Sequence, residues 1–424
     1  MKKIMFFALA AAGLFASCSS DDALTSDVQK AEELNSDLVP IKVNLGNSVM
    51  TATRGTGTVG SNDASLNKWN GETFRLYMLK KGTLDMAKDE VTNIDIYNNE
   101  AFNAGTAAAT TDSVLATASS GETKYYPRTG TFDFWAYRLD DCTGPLGAAI
   151  AAPAVDPTDA TKMTVDFEID GTQDVMVAKA NRKGFPTSDP TLGNVMDRSY
   201  SAWSARNGYY PNLEFDHLLT RLAFKVKAGS TETLLDGNGT DINLNVKKIE
   251  VFSAKDGKLV VAYTGAEIAN ADRIKWDVPV YDQTPSSTNN DPFFLPLTDA
   301  AGADYTPVHI TGTAAQDCGD ALLVCPADAN GYYFRITLEQ DVDDPANPGS
   351  KIQKTTTNIS KIIVNKTVGT DAVAQAFMPG YTYDVTITVW GLSEISVYTT
   401  LNRWVKWGEN ADEEPIEIDP EEYN

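Results

Sequence analysis

Residues 330–339 read Asn-Gly-Tyr-Tyr-Phe-Arg-Ile-Thr-Leu-Glu, and how they are read decides the fold. Asn-Gly is a strong hairpin-turn signal because both residues tolerate positive φ. The run behind it puts Tyr332, Phe334, Ile336 and Leu338 on one face and Arg335 and Thr337 on the other. A period of two describes a half-buried strand, whereas a helix would repeat its apolar residues at 3.6. The same alternation returns at residues 74–78, 131–137, 165–169, 222–226, 244–251 and 383–389, with Gly, Asn and Pro stops between the runs. Helical readings are confined to 101–118 and 371–376. The fold class expected is therefore all-β, built of antiparallel sandwiches.

Between 181 and 212 the alternation fades into Gly, Pro, Ser and Asn, although Trp203, Tyr209 and Tyr210 mark the stretch as packed. A domain boundary is expected there, with one sandwich over 55–204 and a second over 205–394. The 424 residues suffice for two full-sized cores.

The charge balance, 58 acidic against 35 basic residues and a net −23, repels phosphate backbones. Nucleic acid is therefore not an expected partner. The cysteines are Cys18, Cys142, Cys318 and Cys325, too few for a disulfide framework. Cys318 and Cys325 are near enough in sequence to bridge, yet Cys325 sits in an apolar strand-like run, and both readings stay open.

Residues that carry chemistry are scarce. The two histidines, His217 and His309, lie far apart and next to no nucleophile motif, and His217 reads as a structural side chain at the head of a strand. The run 341–349 offers carboxylates but lacks the spacing and terminal Glu of a calcium loop, so it reads as a polar turn between two strands. No catalytic residue, cofactor or metal site is expected, and the chain does not read as an enzyme. Gly55, Gly57 and Gly60 spell G-x-G-x-x-G, but residues 61–71 carry Asn and Gly stops where a phosphate-binding loop needs a helix. Those glycines read better as slack around Arg54.

The N-terminus has the form of an export signal. Lys2 and Lys3 precede an apolar run to Phe15, and Ala16-Ser17 leads into Cys18. A cysteine directly after such a junction matches a bacterial lipoprotein signal, with 1–17 removed and Cys18 acylated, for example by palmitate. The Ser-Ser-Asp-Asp that follows resembles the acidic tether of Bacteroidetes lipoproteins bound for the outer face of the outer membrane. No later run approaches membrane-spanning length.

Several motifs, in order, then carry a resemblance. Residues 124–140 (KYYPRTGTFDFWAYRLD), 170–180 (DGTQDVMVAKA), 215–229 (FDHLLTRLAFKVKAG) and 378–392 (MPGYTYDVTITVWGL) resemble the fimbrillin family, the pilus subunits of Bacteroidia. The series runs from the lipoprotein signal to LNRWVKWG near the C-terminus. The resemblance implies two transthyretin-like β-sandwich domains, export as a lipoprotein and cleavage by an Arg-specific surface protease. It also implies polymerisation by strand exchange with other copies and related pilins in extracellular fimbriae, which support adhesion and colonisation.

The residues offer such machinery independently. Arg54 is the first arginine, set among Thr and Gly residues that a protease cleft accommodates, so cleavage is expected between Arg54 and Gly55. The propeptide, 18–54, contains Ile41, Val43 and Leu45 in strand-like alternation; its departure would open a groove. At the other end Ile395, Val397, Thr399 and Leu401 repeat that alternation, and 395–424 is expected to be the donor segment, with Ile416 and Ile418 extending its contact. A last strand packed in its own domain, anchored by Trp404 and Trp407, is the alternative. The rival functions are a tip or anchor pilin, and a glycan-binding lipoprotein of a nutrient-uptake system whose platforms would be Trp69, Trp203, Trp404 and Trp407.

Overall fold

The computed structural model describes residues 38–46, 69, 71–105, 113–139, 141–180, 200–277, 294–297, 306–368 and 371–403. Cys18, Arg54, Gly55, the G-x-G-x-x-G run, Trp404, Trp407, Ile416 and Ile418 lie outside these residues. The chain is all-β, with one five-residue α-helix among the described residues, Ala202–Arg206, closed by a Ser201–Ser204 capping box.

An eight-stranded sheet organises the N-terminal half. From edge to edge it runs Asp216–His217, Met176–Lys179, Phe132–Arg138, Thr73–Lys80, Glu100–Asn103, Ser113–Ala118, Val43–Gly46 and Asn212–Leu213. Its aromatic residues pack both edge-on and stacked. Trp69 meets Phe215 at 5.3 Å and Phe74 meets Phe102 at 5.7 Å between ring centroids. Phe215 and two of these short strands follow residue 205, so the passage between the halves runs through Phe215 and His217.

In the C-terminal half two sheets face each other over one core. One carries Gln316–Asp317, Thr220–Ala228, Tyr381–Gly391 and Glu394–Arg403, with Leu322–Val324 also on Thr220–Ala228. The other carries Phe294–Pro296, Asn245–Phe252, Tyr332–Asp343 and Lys351–Ile362, with Val308–His309 also on Asn245–Phe252. Leu222, Phe224, Val385 and Ile387 from the first meet Val246, Ile249, Phe334 and Ile336 from the second in a continuous buried cluster. A four-stranded sheet, Ile274–Trp276, Asp256–Tyr263, Asp159–Glu168 and Ala154–Asp156, takes strands from both halves.

Three expectations change. Within 101–118 the described residues contribute the strands Glu100–Asn103 and Ser113–Ala118, and Asp371–Gln375 pairs with Val364–Val368, so the described residues of both stretches are strands rather than helices. Phe102 on the first and Val114 and Ala116 on the second point into the core, and that burial outweighs the helix propensity of Ala101, Ala116 and Ala118. The pairing is not purely antiparallel: Thr220–Ala228 runs parallel to Tyr381–Gly391, and Val43–Gly46 parallel to Asn212–Leu213.

The third change concerns Asn330-Gly331, which makes a turn but no hairpin. The preceding strand, Leu322–Val324, belongs to one sheet and Tyr332–Asp343 to the other, so the turn carries the chain across the sandwich. Gly331 is required there: its φ is +69° and a Cβ would lie 2.0 Å from the Ile362 carbonyl oxygen. The hairpin proper lies further on, Tyr332–Asp343 against Lys351–Ile362, in register to Asp343 opposite Lys351. Of residues 341–349, the first three end the strand Tyr332–Asp343 and 344–349 are a polar turn joining the two strands, in which the Asp344 carboxylate accepts from Ala346 N–H at 2.8 Å and Asn347 Nδ2 at 2.7 Å.

Candidate functional site

Ile41, Val43 and Leu45 are 7%, 1% and 0% exposed, which makes them core residues and not a surface arm. Val43–Gly46 sits second from the edge of the eight-stranded sheet, held on both sides. On one side it pairs antiparallel with Ser113–Ala118, Val43 opposite Ala116 and Leu45 opposite Val114. On the other it runs parallel to Asn212–Leu213, and Asn44 N–H donates to Pro211 O at 2.8 Å. Just before it, Ile41 N–H donates to Lys124 O at 2.9 Å. Lys42, on the outward face, lies 5.4 Å from the centre of the Tyr210 ring, an exposed-side contact worth about 0.5–1 kcal/mol. Gly46 leaves room for Asn212, whose side chain a Cβ would meet at 2.5 Å.

Burying each large apolar side chain contributes about 1.5–3 kcal/mol. Taking Ile41, Val43 and Leu45 away would strip the Asn212–Leu213 and Ser113–Ala118 edges of their partner and uncover Val114 and Leu213, both buried here. The walls were not readable in advance, because neither Asn212–Leu213 nor Ser113–Ala118 carries a long alternating run.

Ile395, Val397, Thr399 and Leu401 also share one face, and in this chain that face is packed at home. Glu394–Arg403 lies antiparallel to Tyr381–Gly391, with Ile395 opposite Val389, Val397 opposite Ile387, Thr399 opposite Val385 and Leu401 opposite Tyr383. Gly391 therefore does not separate the segment from the preceding strand; it flanks a tight turn through Leu392 and Ser393. The strand is the sheet's edge, and Ile395, Val397 and Leu401 are only partly buried against the core.

The remaining candidate residues are structural. His217 is buried, with Nδ1 2.7 Å from Asp174 Oδ2. His309 lies half-exposed between Asn245 and Asp241. Cys142, Cys318 and Cys325 are all buried and none is in a disulfide, so 318 and 325 are not bridged. Burial pushes the Cys325 thiol far up, which leaves it protonated and inert. Trp69 is fully buried and offers no platform. Arg335 and Glu250 form a buried two-pronged pair, Nε to Oε2 at 2.6 Å and Nη2 to Oε1 at 3.0 Å, joined by Lys248 at 2.9 Å from the same carboxylate. Burial raises the Glu250 pKa, but Arg335 and Lys248 lower it more, and the net displacement is downward. Among the described residues no cluster of three or more His, Cys, Asp or Glu side chains is placed to hold a metal ion.

Comparison with known proteins was made on both sequence and structure. The sequence matches no curated protein. Solved structures similar to this chain include a fimbrilin from Porphyromonas gingivalis W83, at 10% identity and a TM-score of 0.37, covering 88% of this chain and 99% of that one. The fimbrial anchor protein Mfa2 of Porphyromonas gingivalis is similar at 9% identity and a TM-score of 0.28, covering 86% of this chain and 99% of that one. A family model described as fimbrillin-like matches residues 53–404, which is most of the chain. The chain thus belongs to the fimbrillin-like family, the pilus-subunit and adhesin-type proteins of surface fimbriae.

Proposed function

We propose that this chain is a structural pilus subunit, exported as a lipoprotein acylated at Cys18, cut between Arg54 and Gly55 by an Arg-specific surface protease, and polymerised by donor-strand exchange. The observation that carries the reading is the position of Val43–Gly46: a four-residue strand inside a sheet, with its apolar side chains in the core, preceding Arg54 in sequence. Cleavage would leave that strand attached to the rest of the subunit by no covalent bond. Its loss would open a slot between an antiparallel and a parallel wall, which an extended segment of another subunit can fill. A two-domain division belongs to the same reading, with the slot in the N-terminal sheet, whose parallel wall, Asn212–Leu213, follows the expected boundary near residue 205.

The donor in this reading is the segment from Ile395 to Asn424. Within one subunit Glu394–Arg403 is an edge strand, so releasing it breaks one backbone ladder and leaves the interior of the sandwich paired. The mature form belongs in extracellular fimbriae, and its precursor on the outer membrane.

N-terminal sequencing of protein sheared from intact cells tests the first step, with Gly55 as the expected first residue. Arg54→Ala is expected to trap a lipidated monomer that retains the Val43–Gly46 strand. Undiminished polymer from that variant, with no alternative cut nearby, would overturn the reading. Deleting 395–424 is expected to give a cleaved subunit that does not polymerise; fibres from the truncated chain would remove the donor assignment alone.

A further inference from the structure

A strand that is to leave its own subunit is recognisable by what holds it there, and Glu394–Arg403 is held with one fault. The face it turns to the core carries Ile395, Val397, Thr399 and Leu401, opposite Val389, Ile387, Val385 and Tyr383 of the neighbouring strand. Ile395, Val397 and Leu401 are partly buried, whereas Thr399 is only 5% exposed. Its hydroxyl is shielded from solvent and has no hydrogen-bond partner. Val385, directly opposite, is fully buried and has an apolar side chain that can offer none.

Buried hydroxyls elsewhere in the C-terminal half are met. Thr220 Oγ1, on an interior strand of the same sheet, donates to Met378 O at 3.1 Å. Ser253 Oγ accepts from Cys325 N–H at 3.2 Å. Among the described buried serine and threonine residues, Thr382 is the other whose hydroxyl lacks a partner, and it sits on the opposite face of the strand that stays. Valine has the same branched shape as threonine and suits a strand equally well, so packing alone gives no reason for a hydroxyl at 399. Leaving such a group unpaired weakens the hold on the strand by a factor on the order of ten.

We propose that Thr399 is the release residue of the last strand: its unpaired hydroxyl loosens Glu394–Arg403 at home, so that the strand opens locally and becomes available to another copy of this chain. The inference rests on the reading of 395–424 as the donor, and adds to it the residue that sets how readily the donor is given up. Position keeps the weakness local. Glu394–Arg403 is the edge of its sheet, so its opening breaks one ladder, and Thr399 reaches water as soon as that ladder parts. The same fault on an interior strand would be relieved only by opening the sandwich itself. Ile395, Val397 and Leu401 keep enough apolar surface against the core to draw the strand back when no acceptor is present.

The first test uses the uncleaved chain, in which polymerisation plays no part. Native-state hydrogen exchange of the Glu394–Arg403 amides is expected to slow on the order of tenfold in Thr399→Val. Thr399→Ser, which keeps the hydroxyl and loses the methyl group, should exchange at least as fast as wild type. The second test uses the cleaved chain, where Thr399→Val should form fibres several-fold more slowly. A synthetic peptide of the unaltered 395–424 sequence should bind the cleaved Thr399→Val chain as fast as cleaved wild type, which puts the delay in release of the strand and not in the slot. Unchanged or faster exchange of the strand in Thr399→Val overturns the assignment of Thr399, whatever the fibres do. Fibres at the wild-type rate from a variant whose strand opens more slowly overturn it as well. A failure of the donor reading is told apart by the truncated chain: fibres formed without 395–424 remove the donor and its release together, even where exchange in Thr399→Val slows as expected.

Discussion

The first and last described strands are written in the same alternation and held in opposite ways. Val43–Gly46 has four residues, a neighbour on each side and a fully buried Leu45. Glu394–Arg403 has ten residues, one neighbour, and a Tyr398 that is 39% exposed. The short strand is the better fixed of the two. Position within a sheet, rather than strand length, decides what a strand contributes and what its loss exposes. An interior strand leaves two unpaired edges behind it, whereas an edge strand leaves one.

That contrast between interior and edge is open to direct tests, and the largest effect is expected where an interior charge is involved. Glu250→Ala strands Arg335 in the core and should cost about 3–5 kcal/mol in urea unfolding. The same pair sets a pH response. The Glu250 pKa is displaced below its ordinary 4.5 in the folded chain, so its stabilisation is complete above 4.5 and is lost as pH falls through the lower folded value. Urea midpoints of the wild type should therefore drop below that pH, and those of Glu250→Gln should drop less.

Leu45→Ala comes next, at about 2–5 kcal/mol, measured on the uncleaved chain. Val397→Ala, on the half-buried edge strand, should cost about 1 kcal/mol. A Val397 cost equal to that of Leu45 would break the comparison, since the edge strand would then be as firmly held as the interior one. The smallest effect belongs to the surface pair of Lys258 and Asp166, 2.7 Å apart and well solvated: Asp166→Asn should change stability by about 0–1 kcal/mol, and less in high salt.

Much of the fold is legible in the sequence wherever a strand is long and one face is buried. The runs around Phe134, Phe224, Ile249, Ile336 and Ile387 all form strands with those residues inward. Partnership is another matter, because hydrogen bonds between strands depend on residues far away in sequence. Nothing near Thr220 announces a parallel partner at Thr382, and nothing near Asn44 announces Asn212. The alternation of Ile41, Val43 and Leu45 shows which side faces the core but not that the strand lies inside a sheet. Ile395 to Leu401 likewise reads as one apolar face, and only the register opposite Val389 to Tyr383 places that face at home in the monomer. The strands Glu100–Asn103 and Ser113–Ala118 carry too few apolar residues to announce themselves, and the neighbouring strands decide for them.

The parallel pairing of Thr220–Ala228 with Tyr381–Gly391 has a consequence in time. Thr220 Oγ1 donates to Met378 O across 158 residues of sequence, and the adjoining strands repeat that span. Closing so long a loop has to precede the contacts that reward it, so this sheet is expected to form late in folding. Thr220–Ala228 can meet Gln316–Asp317 and Leu322–Val324 earlier, but its parallel neighbour is complete only once Tyr381–Gly391 has emerged. A holding factor on the export route would act on that interval, and shortening it by circular permutation, with residue 220 placed after 403, should speed refolding more than any single substitution.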